Sequence, residues 1–133
     1  MPESVRVTRA SEVEDVSSGQ TDGMIRQSAI VNLITPQQIV GTLMRAQSHS
    51  SSAIHHHGNQ DTIVYAVSGR GAIVSEGGEQ VHKLEPGDWA LIPKGREHQE
   101  VNEGDEEVVW VICRAPGGTP EVVNLVSISS IEM

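Results

Sequence analysis

The stretch His55-His56-His57-Gly58-Asn59-Gln60-Asp61-Thr62-Ile63-Val64-Tyr65-Ala66-Val67-Ser68-Gly69 decides the fold. Its second half is an apolar run of strand length, rich in β-branched residues and closed by a glycine. Its first half sets His55 and His57 two residues apart, a spacing that puts both imidazoles on one face of an extended chain. Two imidazoles grip a cation from one side and leave coordination positions to fill. Imidazole nitrogen suits Zn, Fe, Cu, Ni and, with oxygen neighbours, Mn. A third ligand has to come from elsewhere in the chain.

The block Gly87 to Asn102 supplies it. Pro93-Lys94-Gly95 is a turn signal between two apolar runs, predicted to fold His98 back beside the strand Trp89 to Ile92. Together the two blocks resemble the paired motifs of the cupin superfamily, G-x5-H-x-H-x3/4-E-x6-G and G-x5-P-x-G-x2-H-x3-N. Gly87, Pro93, Gly95, His98 and Asn102 fill every fixed position of the second. In the first, His55, His57 and Gly69 fit, whereas His49 stands at the opening glycine and Thr62 at the usual glutamate. The resemblance spans roughly Gln38 to Arg114. It implies an all-β chain folded as a small, single-domain conserved barrel, a double-stranded β-helix or jelly roll, with a divalent metal (Fe, Zn, Ni or Mn) in its mouth. It also implies a homodimer.

The metal set expected on these grounds is His55, His57 and His98 with an oxygen ligand. A threonine hydroxyl is a poor substitute for a carboxylate, so the oxygen position is open to Gln60, Asp61 or water. Gln60 shares strand parity with Thr62 and is long enough to reach inward, while Asp61 points the other way; Gln60 is the residue preferred. His49 and Thr62 are possible additional site residues. A solvated loop histidine is the commoner account of His49, and His56 and His82 read as rim or surface residues. Tyr65 and Trp89 read as packing. Arg45 and Arg70 have the bidentate geometry to hold a substrate carboxylate, although exposed charge is the commoner reason for an arginine.

At 133 residues the chain suits one domain. Phe is absent and aromatics make up 2% of the chain, so the core must be built from Val, Ile and Leu, which favours strands. A net charge of −9 with no basic cluster argues against nucleic acid or an anionic membrane surface as partner. There is no cationic start with an apolar run, no segment of membrane-spanning length, and one cysteine, Cys113, which together predict a cytoplasmic protein. Residues 1–23 read as a polar N-terminal arm, a piece that can exchange in a dimer, and 24–133 as the barrel.

Strands are expected over Met24 to Leu33, Ile39 to Ala46, Ile63 to Val67, Gly71 to Ser75, Val81 to Leu84, Trp89 to Ile92, Val108 to Arg114 and Glu121 to Val126. Ser68-Gly69-Arg70 and Glu76 to Glu79 read as tight connections between antiparallel neighbours, and Glu103 to Glu107 as a solvated acidic loop. For function, two classes follow. One is a metal-dependent enzyme on a small organic, anionic substrate, dioxygenase-like with iron or an isomerase, cyclase or lyase with Zn or Ni as Lewis acid. The other is a non-catalytic module that binds or senses a small ligand.

Overall fold

The computed structural model describes residues 2–16, 23–31, 35, 38–117 and 123–125. Its strands are β1 (Glu14–Val16), β2 (Met24–Ile30), β3 (Val40–Ala46), β4 (Ser50–Ser51), β5 (His55–His56), β6 (Asp61–Ser68), β7 (Gly71–Ser75), β8 (Gln80–Leu84), β9 (Trp89–Ile92), β10 (His98–Asn102), β11 (Val108–Ala115) and β12 (Val123–Asn124). They form two sheets, one in the order β1-β2-β3-β11-β6-β9 and the other β12-β5-β10-β7-β8, with β4 also on β10. Every pairing is antiparallel. This is the two-sheet jelly-roll barrel that the resemblance implies.

Alternation along each strand decides what faces inward. On β6, Thr62, Val64 and Ala66 are buried while Asp61 and Ile63 are exposed; on β11, Val108, Trp110, Ile112 and Arg114 point inward. The apolar core gathers on the first sheet, where Met44, Trp110 and Ala66 lie side by side in register. Trp110 is fully buried, whereas Trp89 is 69% exposed and packs at a tilt against Tyr65, 4.6 Å between ring centroids. The buried tryptophan of the fold is therefore the one the sequence left unremarked.

Two connections differ from expectation. The turn at Gly69 does not join paired neighbours: β6 pairs with β11 and β9, and β7 with β10 and β8, so the chain there crosses from one sheet to the other. Gly69 has φ +77°, and a Cβ on it would lie 2.4 Å from the Glu107 carbonyl oxygen, so only glycine makes this corner. Pro93-Lys94-Gly95 likewise carries the chain across the barrel, and His98 lands between β5 and β7 rather than beside β9. A turn signal marks where the chain reverses, not which sheet it re-enters. Glu76–Gly78, by contrast, closes a true hairpin between β7 and β8.

At its N-terminal side the chain lies on its own first sheet, with β1 antiparallel to β2 and the Thr8 hydroxyl donating to the Ala29 carbonyl. The strand expected to Leu33 ends at Ile30, and residues 32–34 lie outside the described set, as do 121–122 and 126 of the expected last strand. Among the described residues no helix is long and apolar enough to cross a membrane. Asn102 acts structurally. Its amide donates to the carbonyls of Ala46, Gln47 and Glu106 and its oxygen accepts from the Gly104 amide, which pins the acidic loop to the end of β10 away from His98.

Candidate metal centre at the barrel mouth

The start of β10, the end of β11, β5 and the start of β6 all meet at one end of the barrel. There His98 stands opposite His55 in the ladder, and His57 follows β5 just before a turn whose Gly58 takes φ +57°. All three imidazoles are buried, with ring centroids 4.3 to 5.1 Å apart, and one ligand nitrogen from each lies within 4.8 Å of the others. Residues 55, 57 and 98 thus converge on a common point.

The backbone orients two of these rings. His55 Nδ1 donates to the Ala53 carbonyl at 2.8 Å, and His98 Nδ1 to that of Arg96 at 3.0 Å. A ring nitrogen that donates to a carbonyl carries the proton, so the lone pair sits on Nε2. Both Nε2 atoms are buried and make no hydrogen bond. Burial pushes the His98 imidazole below its ordinary pKa, against the raising effect of Glu100, which keeps the ring in its ligating, neutral form. Buried basic nitrogens aimed at one point without a proton donor suit a divalent cation, and the donor set passes that test of fit.

Glu100 is the acidic residue of the site, and sequence reasoning missed it. Its Oε2 lies 3.2 Å from His55 Nε2 and 3.4 Å from His98 Nε2, too poorly directed for hydrogen bonds. Its Oε1 accepts from the Arg26 guanidinium, and the Ser52 hydroxyl donates to Oε2. Burial alone would raise this carboxyl. Arg26 first, then His55 and His98, overcome that and hold it well below the usual carboxylate range. The signal was available: His98 and Glu100 are two apart on β10, the same spacing that paired His55 with His57.

The other expected residues are placed as follows. Gln60 is buried, and its side-chain nitrogen donates to the carbonyls of Pro116 and Gly117 at 3.1 and 2.7 Å. Asp61 is exposed and accepts from the Lys94 backbone. Thr62 is buried on the inner face with its hydroxyl unpaired. His49 is not brought to the cluster: it precedes β4, beyond the Asn102 end of β10, exposed and 2.8 Å from Asp105. His56 is half-buried and accepts from the Gly58 amide, and His82 is exposed. Arg45 and Arg70 pair with Glu107 and Glu85 on the surface, so neither reaches the mouth. The buried arginines are Arg26 and Arg114, which the sequence did not single out. A cavity of about 760 Å³ opens between β8 and β9 and reaches Ser75, Ile92 and His98.

Comparison with known proteins agrees with this architecture. An uncharacterized protein of Aquifex aeolicus (strain VF5) is 27% identical over 103 residues, 76% of this chain and 82% of that protein. Among solved structures, the polyketide cyclase RemF from Streptomyces resistomycificus superposes over 100% of this chain and 94% of its own, with TM-score 0.71 and 18% identity. A point mutant of the oxalate decarboxylase OxdC of Bacillus subtilis superposes over 93% of this chain and 34% of its own, with TM-score 0.74 and 19% identity. Such identities establish a shared fold and no more. The Cupin domain family model matches residues 42–113, which span the core strands and all three histidines, and the chain belongs to the cupin family.

Proposed function

We propose that this cupin is a metal-dependent enzyme for a small organic, anionic substrate, with His55, His57 and His98 as its metal ligands. The observation that carries the reading is the pair of buried Nε2 atoms of His55 and His98, fixed as lone-pair donors by carbonyls behind their rings. A bound divalent ion, Fe, Zn, Ni or Mn, supplies Lewis-acid polarisation and, as iron, one-electron chemistry toward dioxygen. The chain's part is to present neutral imidazoles, an anchored carboxylate and a cavity large enough for a small molecule. The sequence nominates Gln60 for the oxygen position. We favour Glu100, whose carboxylate already touches two of the three imidazoles and is held from behind by Arg26 and Ser52.

A cyclase and a decarboxylase among the structural neighbours support the cyclase, isomerase or lyase branch of this reading beside the dioxygenase branch. The test is elemental analysis of untagged wild type beside His57→Ala, followed by oxygen uptake and substrate loss with an enolisable diketone and a phenol. Close to one redox metal per chain with oxygen uptake supports the oxygenase; substrate loss without oxygen uptake supports the Lewis-acid branch. Stoichiometric ligand binding without turnover under any of the four metals makes the chain a binding module instead. The cytoplasmic homodimer is part of the same proposal. Exposed apolar residues on the outer face of β6 and β9, Leu91 at 65% and Trp89 at 69%, support the dimer, and light scattering at micromolar concentration tests it.

A further inference from the structure

The two buried arginines of the barrel interior are not alike. Arg26 is neutralised by Glu100, whereas Arg114, equally inaccessible at 6% exposure, has no anionic partner among the described residues. Its Nε is buried and makes no hydrogen bond. An uncompensated guanidinium inside a barrel is costly, and a fold keeps one only where something else supplies the opposite charge. Arg114 occupies the last inward position of β11, at the mouth, between Val40 on β3 and Thr62 on β6. Thr62, its ladder neighbour, presents a hydroxyl that is also buried and unpaired. A hydroxyl can donate to an anion but cannot neutralise a guanidinium.

Two ladder steps separate the position from the cavity. Ile92 lines the cavity, Thr62 is the register partner of Ile92, and Arg114 that of Thr62. Arg114 is therefore two strands, about 10 Å of sheet, inward from the cavity wall. Its guanidinium also feels the charges of Arg26 and Glu100.

We propose that Arg114, with the Thr62 hydroxyl beside it, is the specificity-determining anchor for a carboxylate on the molecule that binds at this mouth. The inference rests on the reading of the mouth as a small-molecule site and adds the chemical class of its ligand. A planar guanidinium binds a carboxylate through two parallel hydrogen bonds, and the neighbouring hydroxyl adds a third donor. One end of the ligand is then fixed at Arg114 while the rest faces the imidazoles.

The probe is malonate against its uncharged counterpart malonamide, titrated calorimetrically into metal-free and cobalt-loaded wild type, Arg114→Gln, Arg114→Lys and the surface control Arg70→Gln. Wild type is expected to prefer malonate by about ten-fold or more, as for a lost charged hydrogen bond. Arg114→Gln is expected to lose that preference, Arg114→Lys to keep part of it and Arg70→Gln all of it. Ligand-free Arg114→Gln is expected to melt above wild type, because an uncompensated buried charge has been removed. A merely structural arginine would give the opposite shift. The inference is overturned if wild type shows no preference, if Arg114→Gln keeps it, or if both Arg114 variants melt below wild type. Failure to take up cobalt counts against the metal reading alone, since the malonate preference of the metal-free protein still decides the role of Arg114.

Discussion

The inner faces of the two sheets share one geometry and differ in chemistry. Of the apolar core cluster, all but Ile73 and Leu84 lie on the first sheet, on β2, β3, β6, β9 and β11. The second sheet turns His55, Ser75, His98, Glu100 and Asn102 into the same interior. One sheet thus carries most of the hydrophobic stabilisation, while the other holds buried polar groups compensated by each other, by the backbone and, for Glu100, by Arg26 of the first sheet. The apolar core and the cluster of His55, His98 and Glu100 are concentrated on opposite walls, and substitutions in the two should report on different quantities.

The largest effect is expected on the apolar wall. Trp110→Ala removes a fully buried indole and should cost about 3–5 kcal/mol in chemical denaturation, enough to unfold a marginal barrel. A loss below about 1 kcal/mol would mean that the first sheet is not where the stability resides. Next comes the link between the walls, since Arg26 projects from the first sheet and Glu100 from the second. Glu100→Gln leaves the buried guanidinium without a counter-charge and should cost about 2 kcal/mol. Arg26→Met on top of it should cost nothing further, because the group that needed the carboxylate is gone. Additive losses in that double-mutant cycle would show that the pair is not the bridge it is taken for.

On the polar wall the balance reverses. His57→Ala should change the stability of the metal-free protein by about 1 kcal/mol, less than Trp110→Ala, since His57 lies outside the apolar core cluster. Metal occupancy after dialysis should fall at least about ten-fold, which elemental analysis measures. A comparable fall in Gln60→Ala, with none in Glu100→Gln, would return the oxygen position to the residue the sequence nominated.

What could be read in the chain follows the same division. Except for β1, which lies in the stretch read as a polar arm, the strands of the first sheet announce themselves by their apolar runs, and His55, His57 and His98 by spacing and by the turn residues around them. Those signals are local. Arg26 and Arg114 were missed because a charged residue in a strand reads as solvent-facing by composition, and Glu100 because no strand was expected over His98–Asn102. Only the register, which sets Arg114 against Thr62 and carries Glu100 across the barrel to Arg26, turns them inward. Gly69 and Pro93 mark turns in the sequence, but that these turns pass between sheets depends on pairings made elsewhere, with β10 and β11. The sequence also put His49 within reach of the site by proximity, whereas the short β4 runs it to the far end of the barrel.

The smallest effect separates the walls by pH in the metal-free protein. Burial lowers the pKa of the His98 imidazole from 6.5, so above about that pH the ring is neutral in both folded and unfolded chains and contributes nothing. As pH falls below it, the unfolded chain takes up a proton that the folded barrel refuses, and stability declines until the depressed folded pKa is passed. Glu100 acts lower down: its carboxylate is stabilised in the fold, and that contribution is lost only as pH drops below its ordinary 4.5. Between pH 7 and 5, then, His98 acts alone of the two, at no more than about 1.4 kcal/mol per pH unit. The denaturation midpoint of metal-free wild type should fall over that interval, and that of His98→Gln should fall less. Equal slopes would mean that the ring of residue 98 meets the solvent proton as readily in the barrel as in the unfolded chain, which its burial between β5 and β7 does not allow.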